Sequence, residues 1–139
     1  MFDGIVTHRA TDRVKPGDAV CLLSDGTVDN TTPSASSVSD TLEMLYGVCV
    51  AKVGNLASIH VGQFITVELH PDKVSDFESD IEHNTIIDFG VFDGKVVPDS
   101  TAGALWDFPY AVIGVDHRDD GRVFLTVLTD FGGHDIWRQ

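Results

Sequence analysis

Ala111-Val112-Ile113-Gly114-Val115 runs into Asp120-Gly121, and Val123-Phe124-Leu125-Thr126-Val127-Leu128 runs out of it. Two apolar runs rich in β-branched residues and hinged on Asp-Gly read as a β-hairpin, because tight hairpin turns favour the positive φ that this dipeptide tolerates. The same punctuation recurs at Asp25-Gly26 and Asp93-Gly94. Apolar residues at helical spacing are few. Val74, Phe77 and Ile81 in the acidic stretch from Asp72 to Glu82 predict at most a short helix. Val38, Leu42 and Leu45, where Asp40 and Glu43 have capping-box spacing, predict no more than a turn before a strand.

Working outward from the hairpin, the chain resembles itself. Asp25-Gly26-Thr27-Val28, Tyr46-Gly47-Val48 and Phe64-Ile65-Thr66-Val67 follow one another in the first half. Asp93-Gly94-Lys95-Val96, Ile113-Gly114-Val115 and Phe124-Leu125-Thr126-Val127 follow in the same order in the second. The second closing hairpin is expected to be tight, and the first to be longer, across Gly54 to His60. The expected organisation is a single domain over residues 1–139, with approximate repeats at 15–70 and 84–131. An acidic connector at 71–83 would join the repeats, and a C-terminal tail would occupy 132–139. Neither half could bury its apolar face alone. The predicted fold is therefore all-β: a small antiparallel β-barrel or sandwich built from two similar β-rich halves, with extended terminal arms.

Composition narrows the function. At 139 residues and 42% hydrophobic residues, the chain suits one packed core. No apolar run approaches the roughly 20 residues of a membrane-spanning helix. The first nine residues do not form the basic-then-apolar pattern of a secretion signal, so synthesis in the cytosol is expected. Asp and Glu number 22 against 9 Lys and Arg, a formal charge of −13. Nucleic acids and anionic membranes both select cationic surface, so neither is an expected partner. Cys21 and Cys49 each sit in an apolar run and outside any Cys-x-x-Cys pair, which reads as two buried thiols, although one disulfide could join neighbouring strands.

Catalytic and metal signatures are weak. The six histidines (His8, His60, His70, His83, His117 and His134) show no ligand-pair spacing. His117-Arg118-Asp119 spells a kinase tripeptide with nothing else of a kinase around it. Asp116, Asp120 and Gly121 fit part of a calcium loop, but Arg118 and Val127 occupy liganding positions, which leaves only weak calcium binding open. Ser24 lacks a nucleophile elbow. No enzyme and no cofactor is expected. A small hydrolase or lyase built on a carboxylate pair stays the outlying alternative.

Aromatic and terminal residues suggest contact surfaces instead. Trp106, Phe108 and Tyr110 cluster around Pro109, either capping one end of a barrel or anchoring an interface. Ile136 and Trp137 follow Gly132-Gly133, beyond the last strand, and Phe2 and Ile5 precede Pro16-Gly17 at the other end. Two apolar-tipped arms either fold back on their own domain or lie on neighbouring subunits. The candidate interface residues are Trp137, Ile136, Trp106, Phe108, Phe2 and Ile5.

Lys15-Pro16-Gly17-Asp18-Ala19-Val20, Asp25-Gly26-Thr27-Val28, Tyr46-Gly47-Val48-Cys49-Val50 and Gly62-Gln63-Phe64-Ile65-Thr66-Val67-Glu68-Leu69 together resemble the capsid decoration, or cement, proteins of tailed bacteriophages. The resemblance covers most of residues 15–129, with the acidic connector and the loop holding Trp106 outside it. It implies a β-rich virion protein on the capsid surface, often a homotrimer, that clamps neighbouring major capsid protein subunits and has no catalytic residues. The alternative is a tail or fibre component that binds host carbohydrate through Trp106, Phe108 and Tyr110.

Overall fold

The computed structural model describes residues 4–41, 45–62, 64–75, 86–99 and 110–129. The protein is all-β, as the alternating apolar pattern predicts. Ten strands are formed among the described residues: β1 (Gly4–Arg9), β2 (Ala19–Leu22), β3 (Val28–Asp29), β4 (Leu45–Val53), β5 (Leu56–Val61), β6 (Phe64–Glu68), β7 (Ile86–Phe92), β8 (Lys95–Asp99), β9 (Tyr110–His117) and β10 (Val123–Thr129). They make two five-stranded sheets, ordered β1-β5-β4-β2-β3 and β6-β10-β9-β7-β8, with antiparallel ladders.

The second order is the first moved on by five strands, and the equivalence reaches individual residues. In the first sheet Ile5, His60 and Val48 stand opposite one another; in the second, Phe64, Leu128 and Ala111 do. Thr7–Ser58–Ala51 corresponds to Thr66–Thr126–Gly114, and Arg9–Leu56–Val53 corresponds to Glu68–Phe124–Asp116. Both units skip one residue of the fourth strand at the same place, Val50 in β4 and Ile113 in β9. Each sheet also curls until the end of its first strand bridges its third, at Ala10–Val28 and Leu69–Val96. Thr11 N–H donates to Val28 O and His70 N–H donates to Val96 O at matching positions.

The duplicated units span Gly4–Val61 and Phe64–Thr129, which differs from the expected repeats at 15–70 and 84–131. Phe64–Glu68 opens the second sheet instead of closing the first. Its likeness to Phe124–Val127 is that of a partner: Thr66 and Thr126 face each other across the β6–β10 ladder. Gly47 and Gly114 are not equivalent either, because Gly47 precedes the skipped residue of β4 and Gly114 follows that of β9. The segment from Pro71 therefore lies within the second unit, beginning with a short 3₁₀ turn at Pro71–Lys73; residues 76–85 are outside the described set. The other helical expectation reduces to a 3₁₀ turn at Val38–Asp40, where the Asp40 carboxylate accepts from the Ser36 and Ser37 amides.

Turn chemistry is resolved by backbone angle. At Asp93-Gly94 both residues have positive φ, +52° and +77°, in a two-residue hairpin. At Asp25-Gly26 and Asp120-Gly121 only the glycine does, and the turn spans five residues: Leu23 N–H donates to Thr27 O, and Arg118 N–H to Arg122 O. In both, the aspartate side chain accepts from the amide two residues on. The two closing hairpins reverse the expectation: the β4–β5 connection, expected to be the longer, is the two-residue turn Gly54-Asn55 with Val53 opposite Leu56, and the β9–β10 connection at Asp120-Gly121, expected to be tight, takes five residues between His117 and Val123. Leu56 to His60 is strand because Ala57, Ile59 and Val61 point into the core at period two.

Two apolar clusters result. The first unit encloses Val20, Val28, Cys49, Ala57, Ile59 and Val61, with Ala10 and Val14 laid over them. The second encloses Ile65, Val67, Leu69, Phe89, Val91, Val112, Leu125 and Val127, and takes Ala19, Leu45 and Val48 from the first unit. The units thus share a core. Tyr110 O–H donates to the Leu45 carbonyl across the junction. Gly47 is needed where β4 meets β5, since a Cβ there would lie 2.5 Å from His60 O. The expected N-terminal arm is not free from Gly4 onward: β1 pairs with β5 over all six residues.

Candidate functional site

The most concentrated polar chemistry lies where the units lock together. Asp18, Asp29, Asn30, Thr31 and Thr32 are all buried. Pro16-Gly17 turns the chain, with Gly17 at φ +95°, so that Asp18 Oδ2 accepts from Lys15 N–H at 3.0 Å and from Asn30 Nδ2 at 3.1 Å. Asn30 Nδ2 also donates to Arg13 O. The Asp93-Gly94 turn of the second unit inserts into this nest: Gly94 N–H donates to Asn30 O, Gly94 O accepts from Ala19 N–H, and Asp93 N–H donates to Thr31 Oγ1.

Beside it, Asp29 is held by Arg13 through Nε–Oδ1 at 2.7 Å and Nη2–Oδ2 at 2.6 Å. Thr11 Oγ1 and Asn30 N–H add bonds of 2.9 and 2.7 Å to Oδ1. Burial alone pushes the Asp29 carboxyl up, but the bonds from Arg13, Thr11 and Asn30 outweigh it and hold the group below the ordinary carboxylate range. Each polar atom named here has a partner inside the protein. The cluster therefore works as a satisfied network that fixes geometry, not as a poised acid–base pair.

The thiols lie under the same junction. Cys21 and Cys49 are free and buried, as two apolar strands require. Burial pushes the Cys21 thiol up to about 11, and burial raises Cys49 as well. Among the described residues, no group of three or more His, Cys, Asp or Glu side chains is placed to hold a metal ion. The calcium-like carboxylates serve the hairpin instead: Asp116 pairs with Arg118 at 3.1 Å and Asp120 accepts from Arg122 N–H. Arg118 stacks over the Phe124 ring at 3.9 Å, which accounts for the kinase-like tripeptide as hairpin packing.

An open cleft of about 420 Å³ lies between β1 and the β2–β3 turn, lined by Thr7, His8, Arg9, Asp25, Gly26, Thr27 and Leu56. His8 spans its back wall. Nδ1–H donates to Gly26 O at 3.1 Å, and Nε2 hydrogen-bonds the Tyr46 hydroxyl at 2.8 Å. Both ring nitrogens are engaged, so His8 ties β1 to the turn.

Of the six predicted interface residues, Ile5 alone falls among the described ones; Phe2, Trp106, Phe108, Ile136 and Trp137 lie outside them. Ile5 is 56% exposed, on an edge strand. Tyr110 is buried at the start of β9, within the core that the two units share. Sequence reasoning missed Phe64, Val53 and Leu56, all substantially exposed. Their alternation marks them as strand residues but does not say which face is covered.

No helix among the described residues is long and apolar enough to cross a membrane. Compared with protein-family models and with curated proteins, the chain matches none.

Proposed function

We propose that this chain is a structural virion protein that decorates the outer surface of a tailed-phage capsid and cements neighbouring major capsid protein subunits, without catalysis. The observation that carries the reading is the junction at Asp18. The Lys15-Pro16-Gly17-Asp18 lead-in that bears the resemblance to decoration proteins is the element that receives the Asp93-Gly94 turn and joins two copies of one unit into a rigid body. A clamp has to transmit load between its contacts, and a shared core with a satisfied polar lock does that.

Charge distribution supports the same reading. Residues 63–139 hold 15 of the 22 acids and 5 of the 9 basic residues, so −10 of the net −13 sits in the second half. An acidic half facing solvent keeps a crowded particle surface from associating further, while the nearly balanced first half meets the shell. The test is co-sedimentation of the purified protein with assembled shells of tailed-phage major capsid protein. Saturable pelleting at a fixed ratio to capsid subunits is expected. Protein left in the supernatant at shell excess, together with retention on immobilised host glycans, would replace this reading by the tail or fibre one.

A further inference from the structure

The first sheet leaves a strand edge open beside the cleft. Its first strand, β1, pairs with β5 on one side only. In an antiparallel ladder, alternate residues turn their backbone groups to opposite sides. Ala10 N–H donates to Asn55 O on the β5 side, whereas Thr11 N–H donates to Val28 O on the other. The alternation therefore turns Arg9 N–H, and both backbone groups of Thr7 and Ile5, away from β5. The Ala10–Val28 bridge closes that side at one end. Beyond it the chain departs into the five-residue β2–β3 turn, and no backbone partner meets Thr7 or Ile5 there among the described residues.

The opening is the cleft of about 420 Å³, with Thr7, His8 and Arg9 on one wall and Asp25, Gly26 and Thr27 on the other. That volume falls within the roughly 300–1,000 Å³ of ordinary ligand sites. Arg13, Arg118 and Arg122 each grip a carboxylate inside the protein. Arg9 is exposed on the cleft wall and makes no ion pair among the described residues. Across from it, the Asp25 carboxylate is taken up by Thr27 N–H at 2.9 Å, and Leu56, 52% exposed, supplies the apolar part of the lining. The second unit satisfies the same place from within. Glu68, the counterpart of Arg9, pairs with Arg122, and Phe124, the counterpart of Leu56, lies under Arg118.

We infer that this cleft takes an extended acidic peptide segment of a partner protein, which adds to β1 as a further strand and sets a carboxylate on Arg9. Strand addition uses the backbone groups of Thr7 and the Arg9 N–H, and gives affinity without regard to sequence. The guanidinium gives the selection, since a charge-assisted bond to a carboxylate is the strongest that this lining offers. The net charge of −13 does not decide the sign of the partner. At 0.1 M salt, charges beyond about 10 Å are screened, and Arg9 is the cation at contact. The inference stands independently of the capsid reading.

The experiment is an amide-resolved NMR titration of the full chain with the capped peptide Thr-Val-Glu-Val-Thr, and with the same peptide carrying Gln or Lys at its centre. Saturable shifts confined to the surroundings of Thr7, Arg9, Gly26 and Thr27 are expected, with a Kd on the order of 1 mM. The Gln peptide is expected to bind about threefold more weakly. Thr7→Pro removes an N–H that makes no bond to β5, so it is expected to abolish binding with an unchanged circular dichroism spectrum. Arg9→Gln is expected to bind the Glu and Gln peptides equally, and keeps the test alive if Thr7→Pro fails to fold. No saturable shift at the cleft with about 10 mM Glu peptide overturns the inference. So does binding of the Lys peptide that equals or exceeds that of the Glu peptide, or an equal response at Thr66 and Glu68, the equivalent edge of the second unit.

Discussion

Gly94 and Asp18, from different units, touch so closely that a Cβ on residue 94 would fall 2.3 Å from Asp18 Oδ1. Gly26, its counterpart in the first unit's turn, has nothing within 4 Å of the same point. The two glycines share positive φ, +77° and +86°, and differ in what surrounds them. Gly26→Ala is expected to cost about 1 kcal/mol, the ordinary strain of a left-handed alanine. Gly94→Ala adds a clash with a buried carboxylate and is expected to cost about 3 kcal/mol or more. Urea denaturation of both variants checks the difference, and equal costs would show that the turn does not lock the units.

The Asp29 network gives an acid-side expectation. A carboxyl held below its ordinary value in the fold binds fewer protons than in the unfolded chain. Its contribution is thus fully present above the unfolded value near 3.8 and is lost as pH falls through the lower, folded one. Asp29→Asn keeps the shape but loses the charge that Arg13 grips, and is expected to cost about 2 kcal/mol at neutral pH. The gap between variant and native stability should close as pH drops below 4. A gap that stays constant down to pH 2 would assign the effect to packing.

His70 supplies a second pH dependence at milder acidity. Burial lowers its pKa, against the opposing pull of Asp72, and its Nδ1 accepts from Asp72 N–H, which requires the neutral ring. The unfolded chain then binds the proton first. Stability from this group is complete above about 6.5 and declines as pH falls toward the lower folded value, where it levels off. His70→Asn preserves an acceptor at the same turn and should remove this part of the melting-temperature decline between pH 7 and 5. An unchanged slope in the variant would place the titration elsewhere.

Thiol chemistry reports on the core directly. With Cys21 pushed up to about 11 and both sulfurs buried, almost no thiolate is present at neutral pH. Labelling by a disulfide reagent is expected to be slow in native protein and to approach two thiols per chain in denaturant. Fast labelling of both before unfolding would contradict the burial.

Much of the fold was legible in the sequence and the pairing was not. The three Asp-Gly turns stand where they were read, because turn chemistry is local. Phe64–Val67 and Phe124–Val127 look like repeats because residues facing each other across a ladder sample the same core and the same solvent, so partners acquire one pattern. Gly47 and Gly114 look alike yet lie on opposite sides of a skipped residue, which no single-strand reading detects. Ile5 was legible as an apolar side chain with no core to enter, but not as part of a paired strand. The exposure of Phe64 was not legible, since alternation reveals two faces without saying which one is covered.

Each unit joins its first strand to its last, β1 to β5 and β6 to β10. That arrangement sets the tempo of folding. The β4–β5 and β9–β10 hairpins close over a handful of residues and can form within about 10 microseconds. Gly4 meets Val61, and Phe64 meets Leu128, only after most of a unit has been threaded between them, and the loop entropy of that closure comes before its reward. Chains dominated by such distant pairings fold on the order of milliseconds to seconds. Until β1 and β6 are laid down, the open edges of β5 and β10 are exposed to any other nascent chain, so the late closure of two small sheets governs how much newly made protein reaches the folded state.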